Sequence, residues 1–259
     1  MKLAFDFIRN ELAYFFGAVR FFTRLPVPGW VGHSAEALNR SARYFPAVGL
    51  LVGGIGAAVY VLAALFWPKT VAVLLAMAAT LYATGAFHED GLSDMADGIG
   101  GGWDKARILE IMKDSRVGNY GVVALVLALL GKFMLLVEIE AAWVPAALVA
   151  GHAVSRFAST MLLYAMDYVR EDALSKAKPL ATRLSPPALA VAAGFAGLGL
   201  FWLTPQQAAL GCALAALATL WMARLFQRWL GGYTGDCLGA TQQVAELAFY
   251  LGLLARWPT

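Results

Sequence analysis

Seven stretches of this 259-residue chain, 45–67, 69–88, 119–140, 143–166, 186–204, 206–226 and 237–255, are long and apolar enough to cross a bilayer, which takes ~20 residues as a helix. Nothing in the hydrocarbon core can hydrogen-bond a free backbone N–H or C=O, so each stretch is predicted to be a helix that closes its own bonds. Composition points the same way: 60% of residues are hydrophobic and 14% charged, where a soluble domain carries about a quarter charged residues. The expected fold class is all-α, a polytopic membrane bundle of about seven transmembrane helices with amphipathic surface helices, forming a single domain over 1–259. No linker, shift of composition or internal repeat divides it.

The first 25 residues are apolar, but Asp6, Arg9, Glu11 and Arg20 interrupt them and no small-residue cleavage site follows. They read as an amphipathic helix lying on membrane lipid rather than as a signal peptide. With the N-terminus in the cytoplasm, 16 of the 20 basic residues fall on the inner side, while Lys69 and Arg256 lie outside and Lys132 and Arg156 within spans. The positive-inside bias selects that orientation. It turns every polar loop of any length, 1–44, 88–118, 167–185 and 227–236, toward one face. The outer connections are short and nearly uncharged, which argues against a receptor or an extracellular enzyme, and no nucleic-acid partner is expected. Cys212 and Cys237 show no metal spacing and read as packing residues.

The stretch FHEDGLSDMADGIGGG, residues 87–102, gathers Glu89, Asp90, Asp94 and Asp97 in a chain with only 17 acidic residues. Asp90, Asp94 and Asp97 stand at i, i+4 and i+7, hence on one face if the second span continues through them as a helix. Three Asp facing lipid would cost on the order of 10 kcal/mol, so they are expected to face a polar cavity or a cation. Mg²⁺ held by a few carboxylates and shared with a substrate phosphate answers the requirement. Gly91 and the glycines of 98–102 are expected to let backbone approach a bulky ligand. The competing reading is that the acids cap helix ends at a wet surface.

In DKARILEIMKDSRVGNYG, residues 104–121, Ile108, Ile111 and Met112 predict a short amphipathic helix. Lys113 and Arg116 are candidates for phosphate oxygens, and Asp114 for the metal set. In LGGYTGDCLGATQQ, residues 230–243, Thr234 and Asp236 stand at the expected N-terminus of the last span, a place that suits an anion or a metal-bound phosphate. Arg156 and Glu246 are charges inside spans, at a matched depth of roughly 14–15 Å. They are expected to face the interior and are candidates to pair. Gly49, Gly53 and Ala57 form a small-residue ridge able to pack a helix within the chain or in a homo-oligomer. Against an enzyme stand an ion-coupled transporter, whose acids belong near the bilayer midplane, and a structural scaffold, which needs no clustered carboxylates.

These motifs resemble the cobalamin 5′-phosphate synthase (adenosylcobinamide-GDP ribazoletransferase) family. The likeness lies in FFTRLPVP (21–28), YFPAVGLLVG (44–53), FHEDGLSDMADG (87–98), ILEIMKDSRVGNYG (108–121) and GGYTGDCLGA (231–240), nearly from one end of the chain to the other. The resemblance implies a Mg²⁺-dependent transferase of the bacterial inner membrane, its active site facing the cytoplasm. It would join adenosylcobinamide-GDP to α-ribazole or α-ribazole 5′-phosphate and release GMP. Carried onto this sequence it gives Asp90, Asp94 and Asp97 as catalytic metal ligands, with His88 and Glu89 directly before them; Glu89, Asp114 and Asp236 join the expected metal set by their positions. Arg24, His88, Lys113, Arg116, Arg156 and Thr234 are the expected substrate contacts. The acidic motif also looks like part of the CDP-alcohol phosphotransferase signature. Asp90-Gly91 fits its opening, whereas Asp94 and Met95 stand where that signature has Ala-Arg.

Overall fold

The computed structural model describes residues 2–32, 34–169 and 184–255. Among these, eleven α-helices follow one another: α1 (Lys2–Phe22), α2 (Ala35–Ser41), α3 (Phe45–Ala64), α4 (Lys69–Thr84), α5 (Phe87–Gly101), α6 (Lys105–Ile111), α7 (Asn119–Glu138), α8 (Val144–Ala165), α9 (Pro186–Gly199), α10 (Pro205–Leu230) and α11 (Gly235–Leu254). The all-α class is as expected, and each apolar stretch of the sequence carries a helix. Basic residues assigned to the inner face at Arg170, Lys176, Lys178 and Arg183, and Arg256 assigned to the outer, lie outside the described residues.

About seven spans are expected from the sequence; among the described residues, four helical segments are by length and composition apolar enough to cross a membrane: Glu36–Ala64, Asn119–Glu138, Ala141–Ala165 and Pro205–Leu230. A fifth arises if α4 and α5 are taken as one span broken by an 85° bend, and α9 is shorter. Helix α11 has the length, at 20 residues, but Thr241, Gln242, Gln243 and Glu246 make one part of it too polar. Its place explains that composition. Thr241, Gln242, Gln243, Glu246, Phe249 and Tyr250 are all buried, so α11 faces protein rather than lipid.

Helices in a bilayer gain nothing from hiding apolar surface from lipid that is equally apolar, and are held by close packing and interhelical hydrogen bonds. Here glycine supplies the closeness. A Cβ at Gly53 would lie 2.6 Å from the Leu148 carbonyl oxygen, and one at Gly49 would lie 2.7 Å from Ala153 Cα. The small-residue ridge of α3 therefore presses onto the backbone of α8 within one chain. On α11, Gly252 meets Gly211 of α10 in the same way, with 2.6 Å between its missing Cβ and Gly211 Cα.

At the end of the bundle, α1 leaves Phe5, Phe7, Ile8 and Leu12 exposed while Ala18, Val19 and Phe22 are buried. This is the form expected of a helix whose apolar residues meet lipid along one stretch and protein along the next. At the C-terminus of α7, Lys69 Nζ donates to the carbonyls of Val137, at 2.6 Å, and of Ile139. It thereby satisfies acceptors that a helix end leaves open.

Substituting Gly53 by Ala is expected to destabilise the protein by ~1–3 kcal/mol, the scale of overpacking, as a lowered unfolding temperature in detergent. Gly54 has nothing within 4 Å of its Cβ direction, so Gly54→Ala is expected to be neutral or to raise that temperature through helix propensity alone. Equal behaviour of the two variants would contradict the α3–α8 contact.

Candidate active site around the bent acidic helix

The acidic motif does not continue the second span. After Thr84 the chain passes through Gly85 (φ 66°, ψ 31°) and Ala86 (φ 56°, ψ 27°), both left-handed. Such a conformation is free to glycine but costs an alanine ~1–2 kcal/mol. Ala86 N–H donates back to the Leu81 carbonyl at 3.1 Å and Asp90 N–H donates to Ala86 at 2.9 Å, so one helix closes as the next opens. Arg24 lies over this corner. Its N–H donates to the Ala83 carbonyl at 2.8 Å, and its guanidinium stands where a side chain on Gly85 would be.

Helix α5 is then packed on three sides. Toward α11, a Cβ on Gly91 would lie 3.0 Å from the Asp236 carbonyl oxygen and 3.3 Å from Gly239 Cα. Toward α6, Gly98 and Gly102 meet Met112 and Ile108. Toward α7, Asp97 accepts from Gly118 N–H at 2.7 Å and from Gly121 N–H at 2.8 Å. Two amides at a helix N-terminus thus bond a carboxylate from another helix, a charge-assisted arrangement that the α7 dipole strengthens. Any Cβ at Gly118 would fall 2.5 Å from Asp97 Oδ1, and one at Gly121 would strike both Asp97 and Ser93. The glycines of this region, expected to accommodate a ligand, mostly accommodate the chain itself.

The face of α5 left over carries Asp90, exposed, and Asp94, half-buried, with Asp97 buried one turn on. Asp236 is half-buried in the first turn of α11. Among the described residues no three His, Cys, Asp or Glu side chains are grouped to hold a metal ion. Asp90, Asp94 and Asp97, expected to converge, with Glu89, Asp114 and Asp236 as additions, are not grouped in that way among the described residues. Two hard oxygen donors on adjacent turns nonetheless fit Mg²⁺, which is commonly bound by one or two carboxylates plus phosphate oxygens.

Other expected contacts have definite places. Thr234 is buried as the N-cap of α11, its hydroxyl accepting from Cys237 N–H at 3.3 Å. Asp114 and Arg116 form a chelated pair, with Nη2–Oδ2 at 2.6 Å. The hydrogen bonds from the Arg116 side chain and backbone hold the Asp114 carboxyl down at about 2. Lys113 is exposed on the same segment. His88 is buried with its ring stacked on Phe22 at 5.2 Å, and its Nε2 has no hydrogen-bond partner among the described residues.

Below α5 lies a buried polar network. Glu89 Oε1 accepts from Gln243 at 2.9 Å, and Gln243 Oε1 from Lys132 Nζ at 3.1 Å. Lys132 pairs with Glu246 at 3.1 Å, and Glu246 also accepts from Gln242 and Tyr250, each at 2.8 Å. Arg156 does not bond Glu246 directly. Its Nη1 meets His152 Nδ1 at 3.1 Å, and His152 Nε2 lies 3.7 Å from Glu246 Oε1. The matched depth of Arg156 and Glu246 was informative, but the direct partner of Glu246 is Lys132. Lys132 was legible as a lone cation inside an apolar run that needs an acid; His152, Gln242 and Gln243 carried no such signal.

Along the acidic face, past Asp97, an open groove of about 530 Å³ runs between the end of α5, α6 and the start of α7. Asp97, Gly101, Arg107, Glu110, Asp114, Arg116, Asn119 and Tyr120 line it.

Asp97→Asn turns one acceptor into a donor facing an amide N–H, and is expected to destabilise the protein by ~2 kcal/mol. Asp90→Asn, at an exposed position, is expected to change stability by less than ~0.5 kcal/mol. Thermal unfolding of both variants in detergent measures the difference, and equal stabilities would contradict a structural role for the Asp97 carboxylate.

Residues 14–254 match the family model described as Cobalamin-5-phosphate synthase. A protein of Shewanella woodyi named adenosylcobinamide-GDP ribazoletransferase is 48% identical over 251 residues, covering 95% of this chain and 97% of its own. Proteins of the same name from Polaromonas sp. and Shewanella amazonensis are each 49% identical over 96% of this chain and 97% of their own. No solved structure matches the chain. With a family match from residue 14 to 254 and relatives this similar over nearly their whole length, the chain belongs to the cobalamin-5-phosphate synthase family.

Proposed function

We propose that this membrane protein transfers the adenosylcobinamide-phosphate moiety of adenosylcobinamide-GDP to a hydroxyl of α-ribazole or α-ribazole 5′-phosphate, releasing GMP. The bacterial inner membrane is its proposed location, with the open face of α5 turned to the cytoplasm. The observation that carries this reading is the pair of carboxylates Asp90, exposed, and Asp94, half-buried, on adjacent turns of α5, in a chain whose relatives bear the name of that reaction. A lipid-alcohol phosphotransferase and an ion-coupled transporter are not favoured by those relatives.

The reaction is a displacement at phosphorus. The acceptor oxygen bonds to the phosphorus that stays with the corrinoid, the bridging P–O bond breaks, GMP departs with the electron pair, and the hydroxyl proton is lost to a base or to water. Asp90 and Asp94 offer two carboxylates for Mg²⁺, which would neutralise the pyrophosphate oxygens. The rest falls to side chains and packing. Asp97, bound to Gly118 and Gly121, fixes α5 against α7, and Gly91 fixes it against α11. The Asp90 and Asp94 carboxylates therefore stand on a helix fixed from both sides, as transition-state electrostatics requires. Arg116 and Lys113, exposed on the loop before α7, supply positive charge for the leaving nucleotide, since positioning and electrostatics dominate phosphoryl transfer.

Asp94→Asn removes charge with little change of shape. Turnover, followed as GMP release from adenosylcobinamide-GDP in detergent or nanodiscs, is expected to fall by ~100-fold or more in a protein that still folds. Near-normal turnover of the purified variant would sink the role given to Asp94.

A further inference from the structure

The groove at the end of the acidic face holds more chemistry than the acids of α5 require. Gly101 and Asp97 stand four residues apart on α5, and Asp97 stands three and seven residues from Asp94 and Asp90, so one helical face leads from Asp90 and Asp94 into the groove. Its volume of about 530 Å³ lies in the range of small-ligand sites, ~300–1,000 Å³. Tyr120, 59% exposed, has its ring against Gly100, whose missing Cβ would sit 2.5 Å from it. That contact holds a flat aromatic surface in place on the groove wall.

Apart from Asp97, which the α7 amides hold, the charged residues of the groove come in two pairs. Arg107 meets Glu110 at 2.8 Å and Arg116 meets Asp114 at 2.6 Å. Exposed pairs of this kind are easily exchanged for a ligand's charges, because their net worth is small. The Asp114 carboxylate takes bonds from Arg116 Nε, Nη2 and backbone N, whereas the bond given to Glu110 comes from one Arg107 nitrogen. Glu110 is thus the carboxylate better placed to accept new donors. Guanine presents two adjacent donors, N1–H and the 2-amino group, to a carboxylate, and adenine does not. An aromatic plane, a carboxylate and two guanidinium groups are together the complement of a guanine nucleotide and of no purely apolar or purely anionic ligand.

We propose that this groove binds the guanine-nucleotide end of the substrate: Tyr120 stacks on the base, Glu110 accepts from its donor edge, and Arg107 and Arg116 meet its phosphate. The inference rests on the reading of the chain as a GMP-releasing transferase, and gives that reaction a direction along the protein. The pyrophosphate lies over Asp90 and Asp94, the corrinoid away from the groove, and GMP leaves by the groove.

The test is calorimetric titration of the full chain in nanodiscs with GMP and with IMP, which lacks the 2-amino group. Wild type is expected to bind GMP more tightly than IMP. Tyr120→Ala is expected to weaken both by tenfold or more, the scale of losing a stacked base. Glu110→Ala is expected to weaken GMP by about tenfold and IMP by less, narrowing the gap between them. Glu110 and Tyr120 are exposed, so both variants should fold, and unfolding temperatures check it. Unchanged GMP binding in both variants, in a protein that still releases GMP from adenosylcobinamide-GDP, overturns the groove and leaves the transferase reading standing. Absence of GMP release by wild type, with GMP bound and lost in the variants as described, would overturn the transferase reading and support the groove.

Discussion

A helix that bears four acids can sit in an apolar bundle only if its packing is made by backbone and its charges are accounted for one by one. Helix α5 meets both conditions. The left-handed pair Gly85–Ala86 turns it 85° from α4, and Gly91 lets it touch the first turn of α11. The acids then divide. Glu89 turns inward to Gln243, Asp97 bonds the two amides that open α7, and Asp90 is exposed with Asp94 half-buried one turn on. A change at either glycine contact or at Asp97 would be felt by Asp90 and Asp94 through the tilt of the helix, without touching substrate.

The buried network beneath α5 follows from the cost of charge inside the bundle. Lys132 and Glu246 would each be prohibitive alone, but together with Gln242, Gln243, His152 and Tyr250 they satisfy one another's hydrogen-bonding capacity. Removing one charge of such a set costs far more than removing a matched pair. Through Gln243 the network also reaches Glu89, the residue before Asp90. The polar character that disqualifies α11 as a lipid-facing span is what lets it anchor the acidic helix.

Much of this was legible in the sequence. Apolar runs located the helices, Ile108 and Met112 located α6, and the acidic stretch located the face that remains open. The small-residue ridge was visible as Gly49 and Gly53, although only the structure assigns it to α8. What was not legible shares a cause. Periodicity places residues on a face but does not say which neighbour the face meets, so it gave no sign that the Asp97 oxygens accept from the Gly118 and Gly121 amides. Nor did it show that the Thr234 side chain caps α11. Length likewise made α11 a span, although its Thr241, Gln242, Gln243 and Glu246, all buried, mark a helix that faces protein. The bend at Gly85–Ala86 depends on a left-handed alanine, which sequence rules discourage.

The central claim is that the acidic motif is divided, Asp90 and Asp94 toward cation and pyrophosphate, Asp97 toward the fold. Mn²⁺ standing in for Mg²⁺ makes the division measurable by electron paramagnetic resonance of the purified protein with inorganic pyrophosphate. The account predicts a bound Mn²⁺ signal in wild type, its loss in Asp90→Asn and Asp94→Asn, and its persistence in Asp97→Asn at a temperature where that variant remains folded. Loss of the signal in folded Asp97→Asn, with the signal kept in Asp90→Asn and Asp94→Asn, would contradict it.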